Sequence, residues 1–195
     1  MNEKRSTIEN MPTNILYLNA YLTQLFLLCV SGILIWLFYD SVANVFLIRM
    51  FDVSQAMILG SAFAIGIMVC EWILMKRVSK DALDDGGINK RLLGQMSLIH
   101  MVFFCLFVSI VEELLFRAVL QSLIGLIGAS LLFAIVHVRY VTKPILFSVM
   151  IAVSFSLGLL FHWTNNILAP ITAHFLINFI SGLYIKFSNK PHLEG

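Results

Sequence analysis

A chain of 195 residues that is 59% hydrophobic and only 12% charged, with a mean hydropathy of +0.91, has too little polar surface to cover a water-soluble core of its size. These values exclude a soluble globular domain, and the apolar runs are helix-length, which excludes the short alternating strands of an outer-membrane barrel. The net charge of +2 says little as a total, and no nucleic-acid partner is expected.

The chain begins M-N-E-K-R-S-T-I-E-N, polar and mixed in charge, and the apolar run that follows is too long for a signal h-region, so no cleavable signal peptide is expected. Six membrane spans follow at roughly 15–38, 54–75, 96–120, 122–138, 144–162 and 166–187, each near the ~20 residues that a crossing helix needs. The fourth and fifth are short enough to cross only part of the bilayer. The expected fold is therefore all-α, a polytopic transmembrane helical bundle in one domain over 1–195, with a core of interest at about 96–187.

Lysine and arginine set the orientation. With the N-terminus inside, the inner segments hold Lys4 and Arg5, then Lys76, Arg77, Lys80, Lys90 and Arg91, then Arg139 and Lys143, then Lys186 and Lys190. The outer side holds Arg49. This asymmetry predicts a multi-pass protein of the cell membrane with both termini cytoplasmic. The inner loop Asp81–Lys90 carries Asp-Asp-Gly-Gly, a turn signal. His192, in the terminal K-P-H-L-E-G, is given no role.

Small residues recur four apart in the second span (Gly60 with Ala64, Ala62 with Gly66) and in the fifth (Ser154 with Gly158), a spacing that lets helix backbones approach closely in lipid. Intramolecular packing is the expected use, and the spacing leaves the oligomeric state open. Cys29, Cys70 and Cys105 are odd in number and lie inside apolar runs, so they read as packing residues rather than a disulfide framework or a zinc motif.

Against this background the stretch S-I-V-E-E-L-L-F-R-A-V-L, Ser109 to Leu120, places Glu112, Glu113 and Arg117 inside the third span. A charge at mid-bilayer costs roughly 2.5–3.5 kcal/mol on insertion scales, so these groups must pair, face a wet cavity, or both. Adjacent helical residues point about 100° apart, so the two glutamates face differently. Glu113 and Arg117 are four apart on one face, the spacing of an intrahelical ion pair. Glu112 is then the carboxylate left over for chemistry; the alternative is that all three form one cluster that holds the fold. His137 ends L-L-F-A-I-V-H, one turn after Phe133. His174 and Asn178 share a helical face in A-H-F-L-I-N-F. One carboxylate, two histidines and one amide on three apolar spans are an inventory for activating a water and stabilising an oxyanion.

Other polar groups read as interfacial. Glu71 lies a turn before Lys76 and Arg77, His100 lies near the inner end of the third span, and His162 falls in the outer loop beside Trp163. Asn165 and Asn166 are expected to start the last helix.

The ordered set E-E-x-x-x-R (Glu112, Glu113, Arg117), F-x-x-x-H (Phe133, His137) and H-x-x-x-N (His174, Asn178) resembles the CAAX protease and bacteriocin-processing family, also called the Abi family, of glutamate-type intramembrane endopeptidases. The resemblance implies a polytopic helical core with a conical cavity open toward membrane and cytosol. It implies that Glu112 and His137 hold and activate the attacking water, that His174 and Asn178 donate to the oxyanion, and that Glu113 and Arg117 organise the helix. It implies no cofactor and no metal. Ala118 stands where many relatives carry glycine, and the chain is shorter than the eukaryotic prenyl-protein proteases of this group.

The expected activity is hydrolysis of a peptide or membrane-protein substrate near the cytosolic membrane surface, in peptide maturation or bacteriocin-type immunity. Two other readings stand beside it: a zinc metallopeptidase ligated by Glu112, His137 and His174, although H-E-x-x-H is absent, and a non-catalytic membrane scaffold. No serine or cysteine sits in a nucleophile motif. One geometric requirement is explicit. Glu112 falls about 16 residues, or ~24 Å, into the third span, whereas His137 falls almost at the inner end of the fourth. For both to reach one water, the third helix must tilt, break or start elsewhere, or the fourth must run past Arg139.

Overall fold

The computed structural model describes residues 12–40, 53–83 and 86–188. Lys4, Arg5, Arg49, Lys190 and His192, and the Asp84–Asp85 half of the predicted turn, lie outside the described residues. The elements are α1 (Thr13–Phe38), α2 (Val53–Arg77), α3 (Ile88–Gln95), α4 (Leu98–Glu113), a π-helical segment (Leu114–Leu120), α5 (Gln121–Val136), the single turn α6 (Val138–Val141), α7 (Pro144–Thr164) and α8 (Leu168–Ser188). Among the described residues there is no strand, and the all-α class is as the hydropathy predicts.

Local chemistry sets the ends of these helices. Ser97 caps α4 by accepting from the His100 backbone N–H at 3.2 Å, and Pro144, which has no N–H to satisfy, opens α7. Asn165 ends α7 in the left-handed conformation (φ 45°), and the Asn166 Oδ1 accepts from Leu168 N–H at 3.0 Å to start α8. His162, expected in a loop, instead lies in the last turn of α7. The amphipathic α3 is tied to the end of α8 by Lys186, whose Nζ donates to Met96 O at 2.7 Å.

Five helices are long and apolar enough to cross a membrane, and the longest of these, Leu98–Val136, has 39 residues. It folds back on itself. The Phe116 and Phe133 rings are T-stacked with centroids 4.8 Å apart, whereas 17 residues of straight helix would separate them by about 25 Å. The reversal is at Gly125, whose φ of 77° and ψ of 170° are accessible essentially to glycine alone. One long apolar stretch therefore makes two passes, consistent with about six. The boundary that hydropathy placed near residue 121 falls at this glycine, because no charge or polar run marks the turn.

The side-chain contacts fix how the passes run. α1 lies parallel to α4: Thr13 bonds Gln95, Tyr21 bonds His100, Gln24 bonds Glu112, and Tyr39 donates to Val119 O. α7 is also parallel to α4, through Arg117 to Ser154 and Gln121 to Gly158 O. α8 is antiparallel to α4, with His174 against Glu113 and Gly182 against Met101. Gly60 of α2 packs so closely on α8 that a Cβ would run into Ala169 O and Thr172 Cβ, and one at Gly158 would meet Leu126 and Gln121. Both small-residue positions serve contacts within the chain.

Burial is inverted relative to a soluble protein. Trp36 is 81% exposed and Ile99 73%, while Glu113 and Arg117 are fully buried. Lipid solvates the apolar exterior, and the ionic groups are enclosed because hydrocarbon cannot solvate them. A Gly125→Val substitution is expected to destabilise the fold by about 1–3 kcal/mol, since a β-branched residue cannot adopt that backbone at low cost. Unfolding of the purified protein in mild detergent checks it, with Gly32→Val, which meets nothing within 4 Å and keeps ordinary helical geometry, as the control.

Candidate active site

Glu112, Glu113 and Arg117 sit where α4 passes into the π-helical segment, so the extra residue per turn falls beside the paired carboxylates. Glu113 is fully enclosed and both its oxygens are engaged: Oε2 accepts from Arg117 Nε at 3.0 Å, and Oε1 lies 2.8 Å from His174 Nδ1. Arg117 also donates from Nη2 to Ser154 Oγ at 3.0 Å, and its guanidinium lies 5.4 Å from the centroid of the Phe133 ring. One carboxylate thus joins α4 to α8, and its arginine extends the linkage to α7 and α5.

Glu112 is 6% exposed and points elsewhere, as the helical offset requires. Its Oε1 accepts from Gln24 Nε2 of α1 at 2.8 Å, and its Oε2 lies 3.9 Å from His174 Nε2. The second distance is longer than a hydrogen bond. His174 therefore stands between the two glutamates, bonded to one and facing the other. A carboxylate oxygen only accepts, so Nδ1 carries the proton toward Glu113 and Nε2 is the nitrogen presented to Glu112.

His137 interrupts the helix between α5 and α6 with φ −80° and ψ 57°. Its Nδ1 is 2.7 Å from Phe133 O, which can only accept, so the neutral ring holds its proton on Nδ1 and leaves Nε2 as a base. The ring is held over Phe133 at 4.7 Å and parallel to Tyr140 at 6.2 Å; Phe133 is in turn edge-on to His174 at 6.2 Å. The depth requirement has a simple answer. Glu112 precedes Gly125 by 13 residues and His137 follows it by 12, so the reversal brings them to nearly the same level. The long third pass runs on to Gly125 rather than ending near residue 120, and the short fourth ends at His137.

The structure brings Glu112, Glu113, Arg117 and His174 into one contacting group, with His137 joined to it through Phe133. Asn178 is half-buried one turn after His174 on α8, and among the described residues its side chain makes no hydrogen bond. A zinc site would need Glu112, His137 and His174 to converge. Among the described residues no group of three or more His, Cys, Asp or Glu side chains is arranged to hold a metal ion. The sequence pattern gave no place to Gln24 and took Ser154 as a small packing residue, not as a partner of Arg117. The signal for Gln24 was present: an amide near the middle of a 26-residue apolar helix needs a partner.

The family described as type II CAAX prenyl endopeptidase Rce1-like matches residues 94–180, the stretch that carries every acidic and histidine group of this site. The uncharacterized protein YpbD of Bacillus subtilis (strain 168) is 36% identical over 170 residues, covering 86% of this chain and 89% of that protein. No solved structure matches the chain. The chain belongs to the CAAX protease and bacteriocin-processing family, through its Rce1-like branch. That family is one of membrane proteases, hydrolases whose peptide substrates are met at the lipid bilayer, and the chain is a multi-pass membrane protein.

Replacing Arg117 by Met should be strongly destabilising, by about 3–5 kcal/mol, because it strands the enclosed Glu113 charge. The double variant Glu113→Gln with Arg117→Met should recover part of that loss. Chemical unfolding in detergent of the wild type and the two variants gives the comparison.

Proposed function

We propose that the protein is an intramembrane endopeptidase of the cell membrane, with both termini cytoplasmic, that hydrolyses a peptide bond of a membrane-bound peptide reaching the site from the cytosolic side. The observation that carries this reading is the unequal use of the two adjacent carboxylates. Glu113 has both oxygens committed to Arg117 and His174, whereas Glu112 Oε2 takes no hydrogen bond from the described residues and is turned toward His174 Nε2.

In this mechanism a water lies between Glu112 and His137 Nε2. Glu112 takes one of its protons as the oxygen attacks the scissile carbonyl carbon, converting the C=O into a tetrahedral oxyanion. His174 in its cationic form, flanked by two glutamates, donates from Nε2 to that oxyanion, and Asn178 donates from its amide. The C–N bond then breaks as the proton held by Glu112 passes to the leaving nitrogen, restoring the carboxylate. Glu113 and Arg117 fix the His174 ring, as a buried carboxylate does for the histidine of a hydrolytic triad. Peptide maturation and bacteriocin-type immunity are the roles such an activity would serve.

Glu112→Gln should lower hydrolysis by about 10²–10⁴-fold, the range for a lost general base, while leaving the fold intact. Asn178→Ala should cost about 10²–10³-fold, as for one oxyanion donor. Membrane proteomes of cells carrying the wild type and Glu112→Gln give the measurement. Fragments that appear only with the wild type identify substrates. A folded Glu112→Gln protein that yields the same fragments at the same rate ends the protease reading and favours a scaffold.

A further inference from the structure

We propose that Gln24 of α1 is a positioning residue of this site: its amide holds the Glu112 carboxylate in the rotamer that turns Oε2 toward His174. This rests on the endopeptidase reading, and it adds a helix outside the matched residues 94–180 to the working machinery.

α1 is a peripheral helix whose side chains around Gln24 face lipid: Leu22, Leu25 and Phe26 are each about half exposed or more. Gln24 is the exception, 6% exposed and turned inward. A primary amide enclosed in an apolar bundle must find a partner, and Gln24 Nε2 meets Glu112 Oε1 at 2.8 Å. An ionised carboxylate only accepts, so the NH₂ side of the amide must face it and Oε1 must face away. Gln24 Oε1 is enclosed and has no partner among the described residues. The amide is thus oriented by Glu112 at the expense of its own acceptor, the opposite of what a merely structural glutamine would choose.

The parallel register of α1 and α4 supplies the rigidity. Tyr21, one turn before Gln24, bonds His100 Nε2 at 3.0 Å and meets Phe104 edge-to-face, and Tyr39 donates to Val119 O. These contacts bracket Gln24 above and below and set its height on Glu112. With Oε1 of Glu112 occupied, the carboxylate cannot spin about its last torsion, and Oε2 stays toward His174. Among the described residues the charged and titratable groups nearest Glu112 are the adjacent Glu113, Arg117 of the following turn and His174 from α8, and α1 places the neutral Gln24 amide against it.

The test uses the full chain in lipid nanodiscs and has two readouts. The first is infrared spectroscopy, with the Glu112 carboxylate stretch isolated by subtracting the Glu112→Gln spectrum. The second is hydrolysis of a quenched fluorescent peptide bearing a prenylated cysteine four residues from its C-terminus. Gln24→Met, of matched length without donor or acceptor, should shift the carboxylate band. It should also lower kcat by roughly 10–100-fold with KM changed less than about threefold, as expected when a reacting group loses its orienting partner. If Gln24→Met fails to fold, Gln24→Leu, which likewise removes the amide donor without adding a charge, carries both readouts. An unmoved band, or a moved band with wild-type kcat, overturns the proposal. Wild-type hydrolysis no faster than that of Glu112→Gln counts instead against the protease reading for this peptide, and the band alone then decides whether Gln24 holds Glu112.

Discussion

A single enclosed carboxylate organises this bundle. Glu113 cannot be solvated where it lies, so its two oxygens draw a guanidinium from its own helix and an imidazole from α8, at 3.0 and 2.8 Å. Arg117 is equally unable to stay unpaired and reaches Ser154 on α7 and the Phe133 ring on α5. Helices that share only apolar surfaces gain little by meeting in lipid, because hydrocarbon solvates them as well as a neighbour does. The ionic cluster supplies a reason for four passes to meet at one level, and close approach at Gly60 and Gly158 lets the backbones come near enough.

The adjacency of Glu112 to Glu113 then becomes informative. Two neighbouring residues on a helix see different surroundings, and here one faces the cationic interior while the other faces α1 and the far side of the His174 ring. Identical side chains acquire separate duties from a rotation of about 100°. His174 is the hinge between them, with one nitrogen spent on Glu113 and the other facing Glu112. The π-helical segment begins directly after this pair, a widening of the helix of the kind that recurs at functional sites.

The second imidazole reaches the site by a different route. His137 owes its depth to the reversal at Gly125, which places residues equally far on either side of it at the same height. The Phe116–Phe133 contact is the visible sign of that pairing. A fourth pass of full length would have carried His137 toward the cytosolic surface, away from Glu112. The short pass leaves the histidine level with Glu112, which lies at the C-terminal end of α4.

Much of this was legible from residue types alone. Hydropathy determined that the chain is a helical membrane protein of about six passes, because apolar runs of that length have no other stable solution in lipid. The four-residue spacing of Glu113 and Arg117, and of His174 and Asn178, set which groups share a face, since helix geometry leaves no choice there. What one-dimensional periodicity cannot express is where a continuous apolar stretch turns back, because the turn at Gly125 is marked by backbone conformation and not by polarity. Nor could it decide which glutamate His174 would bond, or that Gln24, 88 positions before Glu112, would lie beside it. Those pairings depend on the register between helices far apart in the chain, and only the packed bundle determines that.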